Sequence, residues 1–111
     1  MCGVTKNYRR TPRVRTSIPV QLDISRSYAF HGTILSLSTR GCLIHTGVAE
    51  QLQGRTIFIQ IPLPSRQVMS LQGKVIYLYE GRCGVEFTEL ASKEKGMLVE
   101  LVRRYRTQET E

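Results

Sequence analysis

Apolar and polar residues alternate along most of the chain, and the period changes once. From Ser17, the residues Ile18, Val20, Leu22 and Ile24 share one face, and Pro19, Gln21, Asp23 and Ser25 the other. That is the period-two signature of a half-buried strand. Pro19 has no N–H to donate and suits a strand start or an edge. Ser25-Arg26-Ser27 predicts a turn. Residues 28–35 predict a second strand, with Gly32 as a candidate bulge. The polar turn Ser36-Leu37-Ser38-Thr39-Arg40-Gly41 leads to a third strand over residues 42–46, with Cys42 and Ile44 inward.

Residues 47–54 predict a loop in which Ala49-Glu50-Gln51-Leu52 holds one short helical turn. Residues 55–61 alternate again, with Ile57, Ile59 and Ile61 on one face and Phe58 and Gln60 on the other. Pro62-Leu63-Pro64-Ser65 breaks that strand, because proline cannot donate to a ladder. Residues 68–79 predict a long strand with Met69, Leu71, Gly73, Val75 and Tyr77 inward. Glu80-Gly81 reads as a tight hairpin turn, and residues 83–88 as the last strand, with Val85 and Phe87 inward. The period then lengthens. Leu98, Leu101, Val102 and Tyr105 fall at i, i+3, i+4 and i+7, the stripe of an amphipathic helix. Ser92 is its expected N-cap. Arg103, Arg104 and Arg106 stand in its last turn, where cations suit the helix dipole. Six short strands separated by turn residues predict an all-β barrel or sandwich, closed by one C-terminal helix.

A length of 111 residues suits one domain with a single modest core. No apolar run approaches the roughly 20 residues of a membrane span. Met1-Cys2-Gly3-Val4 leads straight into basic residues without an apolar region, so no signal peptide is expected. Cys2, Cys42 and Cys83 show no metal-type or redox spacing, which suggests a reducing compartment and a cytoplasmic location.

Charge changes the picture. The net charge is +7, and Lys6, Arg9, Arg10, Arg13 and Arg15 supply five positive charges in the first fifteen residues, with no acid among them. The organisation that follows is a basic arm over residues 1–15, a β domain with its helix over residues 16–106, and a tail over residues 107–111. Such an arm either contacts an anionic partner (a nucleotide, a nucleic acid or an acidic surface) or is simply a solvated tail.

No enzyme chemistry stands out. His31 and His45 form no Cys/His cluster, the acids are scattered, and no phosphate-cradling glycine loop is present. No catalytic residue, metal or cofactor is expected. Two elements remain. Arg9, Arg10 and Arg13 flank the stiffening Pro12, and arginine forks can hold phosphate oxygens in pairs, face the O6 and N7 of guanine, or stack on a base. Ser36-x-Ser38-x-x-Gly41 places hydroxyls and backbone N–H groups in a turn. They serve either a bound base or phosphate or the turn's own backbone.

In this order and spacing, the two elements resemble the PilZ domain family. Arg9 and Arg13 match its RxxxR motif, with Arg10 as the frequent extra arginine, and Ser38 and Gly41 match the last two letters of its D/N-x-S-x-x-G motif. Gly73-Lys74-Val75 and Gly84-Val85-Glu86-Phe87-Thr88-Glu89-Leu90 agree with the family as well, so the resemblance covers residues 7–106. It implies a six-stranded antiparallel β-barrel with a flexible N-terminal arginine arm and a C-terminal helix. It also implies a receptor for the bacterial second messenger cyclic di-GMP. Arg9 and Arg13 would then contact phosphates and guanine, Arg10 would stack or assist, Ser38 would hydrogen-bond the ligand, and Gly41 would let the turn approach it.

One position departs from the family pattern. Ser36 stands where the motif carries Asp or Asn. Replacing a charged acceptor with a neutral hydroxyl costs on the order of 1.5–3 kcal/mol, or roughly ten- to a hundredfold in affinity. A domain of this kind would relay its signal by binding a protein effector once the arm closes. Two alternatives stand beside the receptor: a degenerate PilZ adaptor that binds protein only, and a small basic barrel binding single-stranded nucleic acid. The third is disfavoured because no strand interleaves basic and aromatic residues.

Overall fold

The computed structural model describes residues 13–25 and 28–109. Arg9 and Arg10 lie outside the described residues. Six antiparallel strands run in the order β1 (Val14–Ser25), β2 (Tyr28–Leu37), β3 (Gly41–His45), β4 (Thr56–Pro62), β5 (Val68–Tyr79) and β6 (Arg82–Thr88). They close a barrel in the spatial order β1-β2-β3-β6-β5-β4. A 3₁₀ turn at Ala49–Leu52 lies between β3 and β4, and helix α1 (Ser92–Glu109) follows the last strand.

Alternation builds the core as expected over most of the barrel. Ile18, Val20 and Leu22 of β1, Ile57, Ile59 and Ile61 of β4, and Met69, Leu71 and Val75 of β5 are all buried. Leu98, Leu101 and Val102 of α1 join the same core, and Tyr105 packs against it half-buried. The helix therefore stoppers one end of the barrel with apolar side chains that neither element can bury alone. Glu80 and Gly81 both take positive φ, +46° and +78°. Two left-handed residues make the mirror-image turn whose twist matches a two-residue hairpin, and Tyr79 pairs directly with Arg82 across it.

Four details differ from the pattern of the sequence, each with a physical cause. β1 starts at Val14, three residues before the alternation becomes visible at Ser17. An extra residue between Arg15 and Ile18 shifts the β1–β2 register there and hides the period. Thr16, inside that shift, donates its hydroxyl to the Ile34 carbonyl at 2.6 Å. Gly32 is no bulge: it pairs in regular register with Val20, and the β2 irregularity lies between Ile34 and Ser36. Tyr77 does not face inward. A register shift between Val75 and Tyr77 sets it opposite Gly84 on the outside. Finally, Ala91 rather than Ser92 supplies the carbonyl that accepts the helix's first bond, from the Lys95 N–H at 2.9 Å, so Ser92 sits just inside the helix.

The barrel is zipped unevenly. β1 and β4 pair only over Gln21↔Gln60, Leu22↔Ile59 and Asp23↔Phe58. Continuing that register would set Pro19 opposite Pro62, two residues without an N–H. The seam left there is lined by Ile18, Pro19, Pro62, Leu101 and Tyr105, so helix residues flank it.

Candidate functional site

The end of the barrel stoppered by α1 also holds the start of β1, the end of β2 and the β2–β3 turn. It therefore gathers every described residue of the two candidate motifs. Arg13 is exposed and immediately precedes β1. Its charge is felt at Cys42, the second residue of β3: burial, then Cys83, push the Cys42 thiol far above its ordinary range, and Arg13 pulls the other way. Val14 shares its row with Leu37 and Cys42 across β2 and β3, so Arg13, the residue before it, stands at the same end of the barrel as the beginning of β3. Both described cysteines are free, and a strongly raised thiol stays protonated and unreactive.

Ser36 belongs to β2 itself, not to the turn. It pairs with Arg15 on one side and Leu43 on the other. Arg15 is exposed and Ser36 half-buried. The register thus brings a second arginine beside the motif. The signal that could have found it is a strand starting at Val14, which the β1 bulge conceals.

Ser38 is 4% exposed, and its hydroxyl is fully committed. It accepts the Arg40 N–H at 3.1 Å and the Gly41 N–H at 3.1 Å, and donates to the Gly41 carbonyl at 3.2 Å. One donor and two acceptor sites are all a hydroxyl has. Of the two readings of this serine, the geometry favours the one in which it satisfies the turn's own backbone. The Ser38 N–H adds a bond to the same Gly41 carbonyl at 2.9 Å, and the Phe87 N–H ties the turn to β6 through the Arg40 carbonyl at 2.8 Å. Ser38→Ala would leave two turn N–H groups without their acceptor. The expected result is a stability loss of about 1–3 kcal/mol, measured by urea denaturation.

Gly41 has a different reason to be glycine. A Cβ there would run into the backbone carbonyl of Val85 on β6. Gly41 pairs with Glu86 at this point, and only a residue without a side chain allows the two strands to come so close.

Among the described residues, no group of three or more His, Cys, Asp or Glu is arranged to hold a metal. No helix among them is long and apolar enough to cross a membrane. A cavity of about 740 Å³ lies elsewhere, between Leu63, Pro64 and the α1 residues Met97 and Leu101. It touches none of the motif residues.

The fold and these motifs together define a class, and comparison with known proteins agrees. The family model for the PilZ domain matches residues 7–104. The chain belongs to the PilZ domain family. No curated protein matches it. Among solved structures it is similar to the PilZ domain of CeSA from a cellulose-synthesizing bacterium, at 20% identity and a TM-score of 0.68, covering 82% of this chain and 94% of that one. The PilZ domain of YcgR from Escherichia coli, solved with c-di-GMP, aligns at 14% identity and a TM-score of 0.74, covering 90% and 92%. The Bacillus subtilis inhibitor of motility aligns at 15% identity and a TM-score of 0.75 over 90% of this chain, which spans 51% of that protein. At such identities the likeness is one of fold.

Proposed function

We propose that this protein is a cyclic di-GMP receptor without catalytic activity of its own. The observation that carries the reading is the convergence of Arg13, Arg15 and Ser36 at one end of a PilZ barrel. Arg9 and Arg13 grip phosphates and guanine, and Arg10 assists. The arm ahead of β1, which carries Arg9, Arg10 and Arg13, closes over the bound nucleotide, whose binding energy offsets the ordering of the arm. Ser36 faces the base edge as a neutral acceptor. Ser38 and Gly41 act through the turn, the first by tying its backbone and the second by seating it on β6. Arm closure reshapes the surface offered to a protein effector.

Calorimetric titration of the purified chain with cyclic di-GMP, with GMP and GTP as controls, tests this reading. Saturable binding selective for the cyclic dinucleotide is expected. Ser36→Asp restores a charged acceptor and is expected to tighten binding roughly ten- to a hundredfold. Absence of binding by both the natural chain and Ser36→Asp would overturn the receptor.

The presence of Ser36 at the acidic position favours one second reading, a protein-binding adaptor of the same family. Its signature is a silent natural chain and a binding-competent Ser36→Asp.

A further inference from the structure

Helix α1 leaves one flank uncovered. Leu98, Leu101, Val102 and Tyr105 pack into the core. Gly96, Met97, Glu100 and Arg104 border the cavity of about 740 Å³ that the helix shares with Leu63 and Pro64 of the β4–β5 loop. The cavity runs on past Leu101 and Arg104 to the seam between β1 and β4. It is therefore a groove along the helix, floored by leucine, proline and methionine, and it contains no residue of either motif.

Gly96 is a residue that the fold does not explain. Only proline is a poorer helix former than glycine, and Gly96 stands inside α1. At Gly41 and Gly73 a Cβ would strike β6, but a Cβ on Gly96 would meet nothing within 4 Å. The space kept over it is the groove. Bare helix backbone suits a neighbour that lies close along it. The groove walls offer little to an extended neighbour. The α1 backbone is bonded within the helix, and the N–H groups of Leu63 and Arg66 go to the Gln67 and Leu63 carbonyls, at 2.8 and 3.0 Å respectively. An occupant must bring its own main-chain bonds, and a helix does.

Charge selects among helices. Lys93 and Arg104 line the groove. Arg66 follows Ser65 of its wall, exposed and at a φ of +69°, a conformation that favours glycine or asparagine. The one acid among the described lining residues, Glu100, is paired with Arg103 at 2.8 Å and Arg104 at 3.6 Å. The rim is thus cationic. That disfavours a second copy of this chain, whose net charge is +7, and the chain's own arm, which holds five basic residues and no acid. The cavity wall beside Gly96 carries no aromatic ring for a nucleic-acid base. We propose that this groove seats an amphipathic helix of a protein partner. Its apolar residues at i, i+3, i+4 and i+7 enter the groove, and its acidic residues meet Lys93, Arg104 and Arg66. This rests on the reading that the chain works through a protein partner, which receptor and adaptor share, and not on nucleotide binding.

Calorimetry on the full chain tests this with a synthetic helical peptide of about 15 residues, with leucine at those four spacings and glutamate on its flanks. Its controls are a twin with lysine for every glutamate and a scrambled acidic peptide. Each is titrated with and without saturating cyclic di-GMP, and binding in either state counts. The acidic helix is expected to bind about tenfold tighter than both controls. Gly96→Leu fills the groove and improves the helix, so its melting temperature should hold or rise while its affinity for the peptide falls about tenfold. Lys93→Glu with Arg104→Glu should invert the preference between the acidic and the lysine helix. An acidic helix that binds no tighter than its controls, or that binds Gly96→Leu equally well, overturns the proposal. So does a chain that ignores the peptides yet binds phosphatidylglycerol vesicles in a way that Gly96→Leu abolishes, which would give the groove to a lipid surface. Separate titration with cyclic di-GMP decides the receptor: a silent groove on a chain that binds the nucleotide leaves the receptor standing, and a seated helix on a chain that does not leaves the adaptor.

Discussion

Arg13→Ala is expected to lower cyclic di-GMP affinity by about a hundredfold or more, while the melting temperature stays within about 3 °C of the natural chain. Each charge-assisted hydrogen bond contributes on the order of 1.5–3 kcal/mol. A guanidinium holding phosphate or guanine with two such bonds therefore supplies about two to four powers of ten. Arg13 can exert this leverage because of its position. It is exposed and directly precedes the first paired residue of β1, and its charge reaches the beginning of β3. Thermal stability should hardly respond, since surface substitutions outside the core usually stay within about 0.5 kcal/mol. Calorimetry and a melting curve on the same preparation read both quantities. A large fall in melting temperature would instead make Arg13 a structural residue of the barrel end.

Gly41→Ala should show the opposite dissociation. The new Cβ meets the backbone carbonyl of Val85, and backbone gives way far less readily than the tip of a side chain. Overpacking of this kind typically costs about 1–3 kcal/mol, occasionally more. Here it also strains the Ser38–Gly41 turn, whose bonds depend on the same residue. The expected outcome is a lowered urea midpoint, with binding falling only as far as the folded fraction falls. If Gly41→Ala kept full stability and lost binding alone, the glycine would be serving close approach of the ligand rather than of β6.

The sequence made the barrel legible because strand alternation and turn chemistry agree in most places. The Ile57, Ile59 and Ile61 face, the Glu80-Gly81 turn and the Leu98-Leu101-Val102-Tyr105 stripe all stand as the pattern implied. It failed where strands carry an extra residue. A bulge leaves no reliable trace in composition, since it depends on how two strands pair and not on either alone. The shift after Arg15 hid the true start of β1, and the shift after Val75 reversed the direction of Tyr77. At the candidate site, the motif letters mark the β2–β3 turn but do not say how each of its residues is bonded. Ser38 had two readings from sequence, and only its three hydrogen bonds separate them. Gly41 gained its reason from a strand more than forty residues away in the chain.

The stretch where β1 and β4 part has a consequence for assembly. An open pair of strand flanks normally invites another chain to add a strand by main-chain pairing. Pro19 and Pro62 stand at the two positions that such an intruder would meet first, and neither offers a donor. Residues of α1 flank the same opening. Strand addition is thereby blocked at this point of the barrel wall. Any chain that docks at this point must do so through side chains rather than by extending the sheet.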